Sequence, residues 1–74
     1  MEIDEDKIDE TVLALLFLTL HDGQRAWKGM DFEVMNRLYE KGYIDSPKNK
    51  NKSVWLTDEG LSRSEALFEK IFSK

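Results

Sequence analysis

Lys48, Lys50 and Lys52 alternate with Asn49 and Asn51 in SPKNKNKSVWLT, residues 46–57, of a chain whose formal net charge is −4. Three ammonium groups on one short loop have a chemistry available to them, the neutralisation of three phosphates. On duplex DNA that gives a salt slope near about −2.7, roughly a fortyfold loss of affinity between about 50 and 200 mM salt. This is about 2 kcal/mol, enough to assist binding and short of what specificity needs. The structural alternative is that lysine and asparagine keep an exposed hairpin tip hydrated and discourage edge pairing. Without the three lysines the remainder of the chain stands at −7, so the charge is segregated. A phosphate-binding surface built around them also requires Arg25, Lys28, Arg37 and Lys41 on the same side.

Other reactive groups form no constellation. His21-Asp22 could suggest a general base, but no nucleophile accompanies it in a known motif, and a histidine before Asp-Gly reads more simply as a cap at a helix C-terminus. Ser62 and Ser64 fall within a helical pattern, without a strand-to-helix elbow or an adjacent base. Asp4 and Asp6 open like a calcium loop, whose glycine and later bidentate glutamate are missing. There is no cysteine, hence no disulfide, thiolate nucleophile or zinc knuckle. No phosphate-binding glycine loop or dinucleotide fingerprint occurs. The expectation is a protein that is not an enzyme and takes no metal or cofactor. Asn51-Lys52-Ser53 matches a glycosylation sequon, but the acidic opening MEIDEDKIDE is unlike a basic export signal, so the expected compartment is cytoplasmic.

Seventy-four residues suit a single domain over 1–74. A domain so small buries only about 60% of its unfolded surface, which makes a second subunit useful. The composition, 41% hydrophobic and 35% charged, is that of a folded soluble chain, and no apolar run reaches the roughly 18 residues of a membrane span.

The elements follow from periodicity. Residues 4–20 place Ile8, Val12, Leu15 and Leu16 at helical spacing, with Leu13, Phe17 and Leu20 on adjoining faces. This predicts a helix that runs through the middle of the domain or is shared with a second subunit, capped by Asp4 or Asp6. Gly23 and Gly29 bracket a short helix. Asp31 caps a further helix to Lys41, with the stripe Phe32, Met35, Leu38 and Tyr39, and Gly42 ends it. Between Tyr43 and Thr57 the period becomes two, predicting a hairpin of Tyr43-Ile44 with residues 53–56, in which Val54 and Leu56 point inward and Trp55 outward. Thr57 or Asp58 caps a last helix with Leu61, Leu67, Phe68, Ile71 and Phe72 along one stripe. Trp27 and Phe32, flanking the turn before the Asp31 cap, read as core.

The order is mainly α with a β-hairpin and resembles a winged helix: helix, short helix, helix, two-stranded wing, helix. The phrases MNRLYEKGYI and VWLTDEG, residues 35–44 and 54–60, resemble those of bacterial repressors of the multiple-antibiotic-resistance and phenolic-acid types. The stretch DKIDETVLALLFLTLHDGQRAWKGMDFEVMNRLYEKGYI, residues 6–44, is similar to a family of short bacterial proteins classed as a domain of unknown function, a likeness that extends over nearly the whole chain. The winged-helix resemblance implies double-stranded DNA as partner and an outward recognition face of Glu33, Asn36, Arg37, Glu40 and Lys41. Asn36 and Arg37 are then offered to base edges and the wing lysines to phosphate. Two acids offset two bases on that face, which forgoes much of the usual attraction.

Phe68, Ile71 and Phe72 lie where a helix end leaves side chains half bare, so homodimerisation through the terminal helices is expected. Trp55 is a candidate contact to another chain if it does not simply cover its own hairpin. The alternative function is therefore a homo-oligomeric protein interaction module that keeps the fold without binding DNA.

Overall fold

The computed structural model describes residues 1–48 and 50–74; Asn49, part of the lysine-asparagine tip, lies outside the described residues. Helix α1 spans Glu5–Leu16 and runs into a 3-10 turn, Phe17–Thr19. Strand β1 is Arg25–Trp27, helix α2 is Phe32–Glu40, strand β2 is Ser53–Trp55 and helix α3 is Asp58–Phe72. The architecture is mainly α with an antiparallel β-ribbon.

All three helix starts are set by local side-chain chemistry. Asp4 accepts from the Lys7 N–H, Asp31 from Val34 and Thr57 from Gly60, each satisfying a backbone donor that the helix leaves unpaired. Helix α2 ends at Gly42, whose φ of 82° is costly for a residue with a Cβ. There the Gly42 N–H reaches the Tyr39 carbonyl and the Tyr43 N–H the Leu38 carbonyl, a Schellman closure.

The core lies where α1 meets everything else. Leu13, Ala14 and Leu16 of α1 pack with Met35 and Leu38 of α2, Leu67 of α3, and Ala26, Ile44, Val54 and Leu56 beneath the ribbon. Ser64, fully buried in α3, donates to the Leu13 carbonyl at 2.6 Å and ties the two longest helices together. Gly60 permits the close approach of α3 to the chain after α2, since a Cβ there would collide with the Tyr43 carbonyl.

The short helix expected between Gly23 and Gly29 is instead β1. Five residues between glycines are too few to repay helix nucleation, whereas pairing with β2 satisfies the backbone at once. The register is Arg25 opposite Trp55, Ala26 opposite Val54 and Trp27 opposite Ser53. Ala26 is fully buried, which turns Trp27 outward and leaves it 51% exposed, so the expectation of a core Trp27 is corrected. Phe32, in the first turn of α2, is likewise exposed rather than core. The hairpin expected within 43–57 survives as one bridge, Ile44 to Leu56, with the Asp45 N–H on the Trp55 carbonyl. The main partner of β2 is thus β1, and β2 is flanked on both sides. The inward Val54 and Leu56 and the outward Trp55 are as expected.

His21 follows the 3-10 turn at the end of α1, and its Nδ1, 2.8 Å from the carbonyl of Thr19, caps the last residue of that turn. It also opens a tight turn through Asp22 (φ 47°) and Gly23 (φ 86°), with backbone bonds in both directions to Arg25.

Candidate nucleic-acid interface

An acid sits on the buried face of α1. Asp9 occupies the stripe of Val12, Leu13 and Leu16 and is 1% exposed. An ionised carboxylate there is costly unless paired, and α2 supplies the partners. Arg37 donates from Nε to both Asp9 oxygens at 3.0 and 2.9 Å and from Nη2 to Oδ1 at 2.8 Å. Its Nη1 lies 2.9 Å from Glu5 Oε2. Lys41 Nζ reaches Asp9 Oδ2 at 2.9 Å and Asp6 Oδ1 at 3.4 Å. The Arg37 hydrogen bonds, reinforced by Lys41, hold the Asp9 carboxyl below the usual carboxylate range although burial pushes the other way. The same bonds raise the Lys41 ammonium above its ordinary value.

The α2 half of the expected reading surface is corrected by this geometry. Arg37 and Lys41 turn toward α1 and are committed to its carboxylates. Asn36 donates from Nδ2 to Glu40 on its own helix at 2.8 Å. With these side chains occupied, α2 presents Glu33 and Glu40 as exposed charges, the wrong sign for a polyanion.

The ribbon presents the opposite charge. Directly opposed residues of an antiparallel pair share a face, so Arg25, Trp27, Ser53 and Trp55 form one outward block while Ala26 and Val54 face the core. The Arg25 guanidinium carbon lies 5.8 Å from the centroid of the Trp55 ring, and its Nη1 is 3.4 Å from Ser53 Oγ. Trp55 is 41% exposed, with its backbone N–H held by Asp45 Oδ1 at 2.8 Å. The Trp27 N–H is held by Thr19 Oγ1 at 3.0 Å, and its indole lies over Gly29, where any Cβ would collide with it. Beyond the last pair, the Lys28 N–H bonds the Lys52 carbonyl at 3.1 Å. Lys28 Nζ crosses to the Pro47 carbonyl at 3.0 Å, anchoring the base of the tip loop. Lys48, Lys50 and Lys52 are all exposed.

Segments 24–29 and 46–56 carry Arg25, Lys28, Lys48, Lys50 and Lys52 and no carboxylate. The formal charge of −4 therefore divides into +5 on the ribbon and its tip and −9 on the rest.

The family model described as Domain of unknown function (DUF6429) matches residues 4–74. The chain belongs to this family. It is similar to the uncharacterized protein y4hR of Sinorhizobium fredii (strain NBRC 101917 / NGR234), 61% identical over 74 residues and covering 100% of both chains. No solved structure matches. The resemblance to bacterial repressors finds no support in these comparisons.

Two further surfaces complete the site residues. Phe68 packs on Phe17 and Phe72, with ring centroids 5.2 and 5.3 Å apart, and is half-buried within its own chain. Ile71 and Phe72 remain 42% and 43% exposed. Beside the Asp9 cluster is a cleft of about 230 Å³, lined by Asp6, Glu10, Lys41, Tyr43 and Arg63 among others. Among the described residues no helix is long and apolar enough to cross a membrane.

Sequence reasoning missed the Asp9 cluster. Its signal was present, because an acid at i with apolar residues at i+3, i+4 and i+7 demands cations from a facing element, and Arg37 and Lys41 are spaced i, i+4.

Proposed function

We propose that the protein binds nucleic acid, without catalysing a reaction, through the outward face of the ribbon and its lysine tip. The supporting observation is that the paired segments 24–29 and 46–56 carry five cations, two exposed indoles and no carboxylate of their own, on a protein otherwise strongly acidic, with Asp45 bordering them at the Trp55 backbone N–H. Arg25, Lys28, Lys48, Lys50 and Lys52 contact phosphate, and binding energy comes largely from released counterions. Arg37 and Lys41 leave this reading, since their side chains serve the α1–α2 contact, and Asn36 leaves it because its amide is on Glu40 of its own helix. The carboxylates that border the ribbon, Asp45 at Trp55 and Asp58 at Gln24, limit the footprint to it.

Fluorescence anisotropy of labelled oligonucleotides at two salt concentrations tests it. Binding that weakens steeply with salt supports the reading. Absence of binding to single-stranded and duplex DNA at about 50 mM salt refutes it.

A second reading, homodimerisation through the end of α3, is favoured by the exposure of Ile71 and Phe72, and of Leu18 in the 3-10 turn whose Phe17 packs on Phe68 of α3. Two copies joined there would cover apolar surface that a domain of this size has little core to spare for.

A further inference from the structure

We infer that the ribbon selects unpaired bases, stacking them on Trp27 and Trp55, so that the preferred ligand is single-stranded nucleic acid; the inference rests on the nucleic-acid reading above. Two indoles sit at diagonal positions on one outward face and are fixed there by different means. The Trp27 indole is laid over Gly29, and the backbone N–H of Trp27 is on Thr19 Oγ1. The Trp55 indole is flanked by the Arg25 guanidinium, and the backbone N–H of Trp55 is on Asp45 Oδ1. Diagonal neighbours on a ribbon are about 7–8 Å apart at the backbone, so the two rings are separate platforms.

A duplex keeps the faces of its bases stacked inside and shows a protein only edges and phosphates. Exposed indoles find no matching surface there. A single strand offers a π-face at every base, and stacking on an aromatic side chain is sequence-tolerant and strong. The remaining chemistry of the face agrees. Arg25 and Ser53 are its polar members, while Lys48, Lys50 and Lys52 at the tip can follow a phosphate backbone as it leaves the indoles. Helix α2, which would be needed to read a major groove, presents acids instead.

Trp27 and Trp55 are the chain's two tryptophans, so tryptophan emission, excited selectively over that of Tyr39 and Tyr43, reports on this face alone. The full chain is titrated with a thymidine 20-mer and with a duplex of equal length, following both anisotropy and tryptophan quenching. The expected result is tighter binding of the single strand, with quenching that saturates with it. Trp27→Ala and Trp55→Ala are each expected to weaken the single strand about five- to hundredfold, at the 1–3 kcal/mol of a base–aromatic stack, and to leave duplex affinity almost unchanged. Circular dichroism confirms that each variant is folded; the wild-type quenching stands as evidence even if one is not. Duplex binding as tight as single-strand binding, without quenching, overturns this inference and leaves the nucleic-acid reading intact. Binding of neither overturns both. Salt-sensitive self-association in place of nucleic-acid binding also overturns it, assigning the ribbon to the acidic body of a second copy.

Discussion

Arg37 on α2 grips Asp9 on α1 through three hydrogen bonds of 2.8–3.0 Å, and this pair decides which cations the protein can offer to a ligand. A buried carboxylate that engages Arg37 and Lys41 draws both toward α1 and leaves segments 24–29 and 46–56 as the stretches whose cations no carboxylate of their own offsets.

Asp9→Asn is expected to destabilise the fold by about 2–4 kcal/mol, because breaking one side of a buried pair leaves its partners uncompensated while Arg37 and Lys41 keep some access to water. Urea denaturation followed by circular dichroism measures it. Asp9→Leu combined with Arg37→Met and Lys41→Met is the informative companion, since replacing every member of a buried ionic cluster by apolar side chains can recover part of that loss.

The stabilisation from Asp9 depends on pH with a definite sign. Its folded value is depressed, so its contribution is full above the ordinary carboxylate value of 3.8 and is lost as pH falls through the lower folded value. Lys41 is raised, so its contribution is full below the ordinary 10.5 and is lost as pH rises beyond it. The difference in Tm between wild type and Asp9→Asn should be constant from about pH 5 to 9 and should shrink below about pH 4. A difference that grows on acidification contradicts the pairing.

Local chemistry was legible in the sequence and distant chemistry was not. Asp4, Asp31 and Thr57 cap their helices through bonds spanning three residues, and Gly42 closes α2 within its own turn, so each could be read from its neighbours. Trp55 pointed outward for the same reason, as period-two alternation needs only adjacent residues. Strand β1 could not be read this way, since QRAWK acquires its alternation only when Ser53–Trp55 is placed beside it. The exposure of Trp27 follows from that pairing and was missed with it. The site was legible in its lysine tip, which the sequence displays as a run, and illegible in its indole platform, which two distant segments assemble.

Gly29→Ala places a methyl group where the Trp27 indole lies. The indole is exposed and can swing away, so stability should change by less than about 1 kcal/mol. Single-strand affinity should fall and the tryptophan emission should shift, both measurable in one titration. Unchanged emission and affinity would show that the seat of Trp27 on Gly29 has no part in binding.

Gly60→Ala directs its Cβ at the Tyr43 backbone carbonyl, which has no rotamer to yield. An overpacking cost of about 1–3 kcal/mol is expected, read as a lower urea midpoint.

Sedimentation at tens of micromolar should show a dimer that Ile71→Ser with Phe72→Ser converts to the 8.7 kDa chain. A wild-type protein sedimenting as 8.7 kDa throughout removes the α3 end as an interface.

The most direct test of ribbon-mediated nucleic-acid binding is the salt dependence of single-strand affinity in wild type and in the triple variant Lys48→Gln, Lys50→Gln, Lys52→Gln. Five phosphate contacts give a log–log slope near about −3.5, and loss of three should bring it to about −1.4. Equal slopes and equal affinities for the two proteins would contradict a phosphate-binding role for the tip.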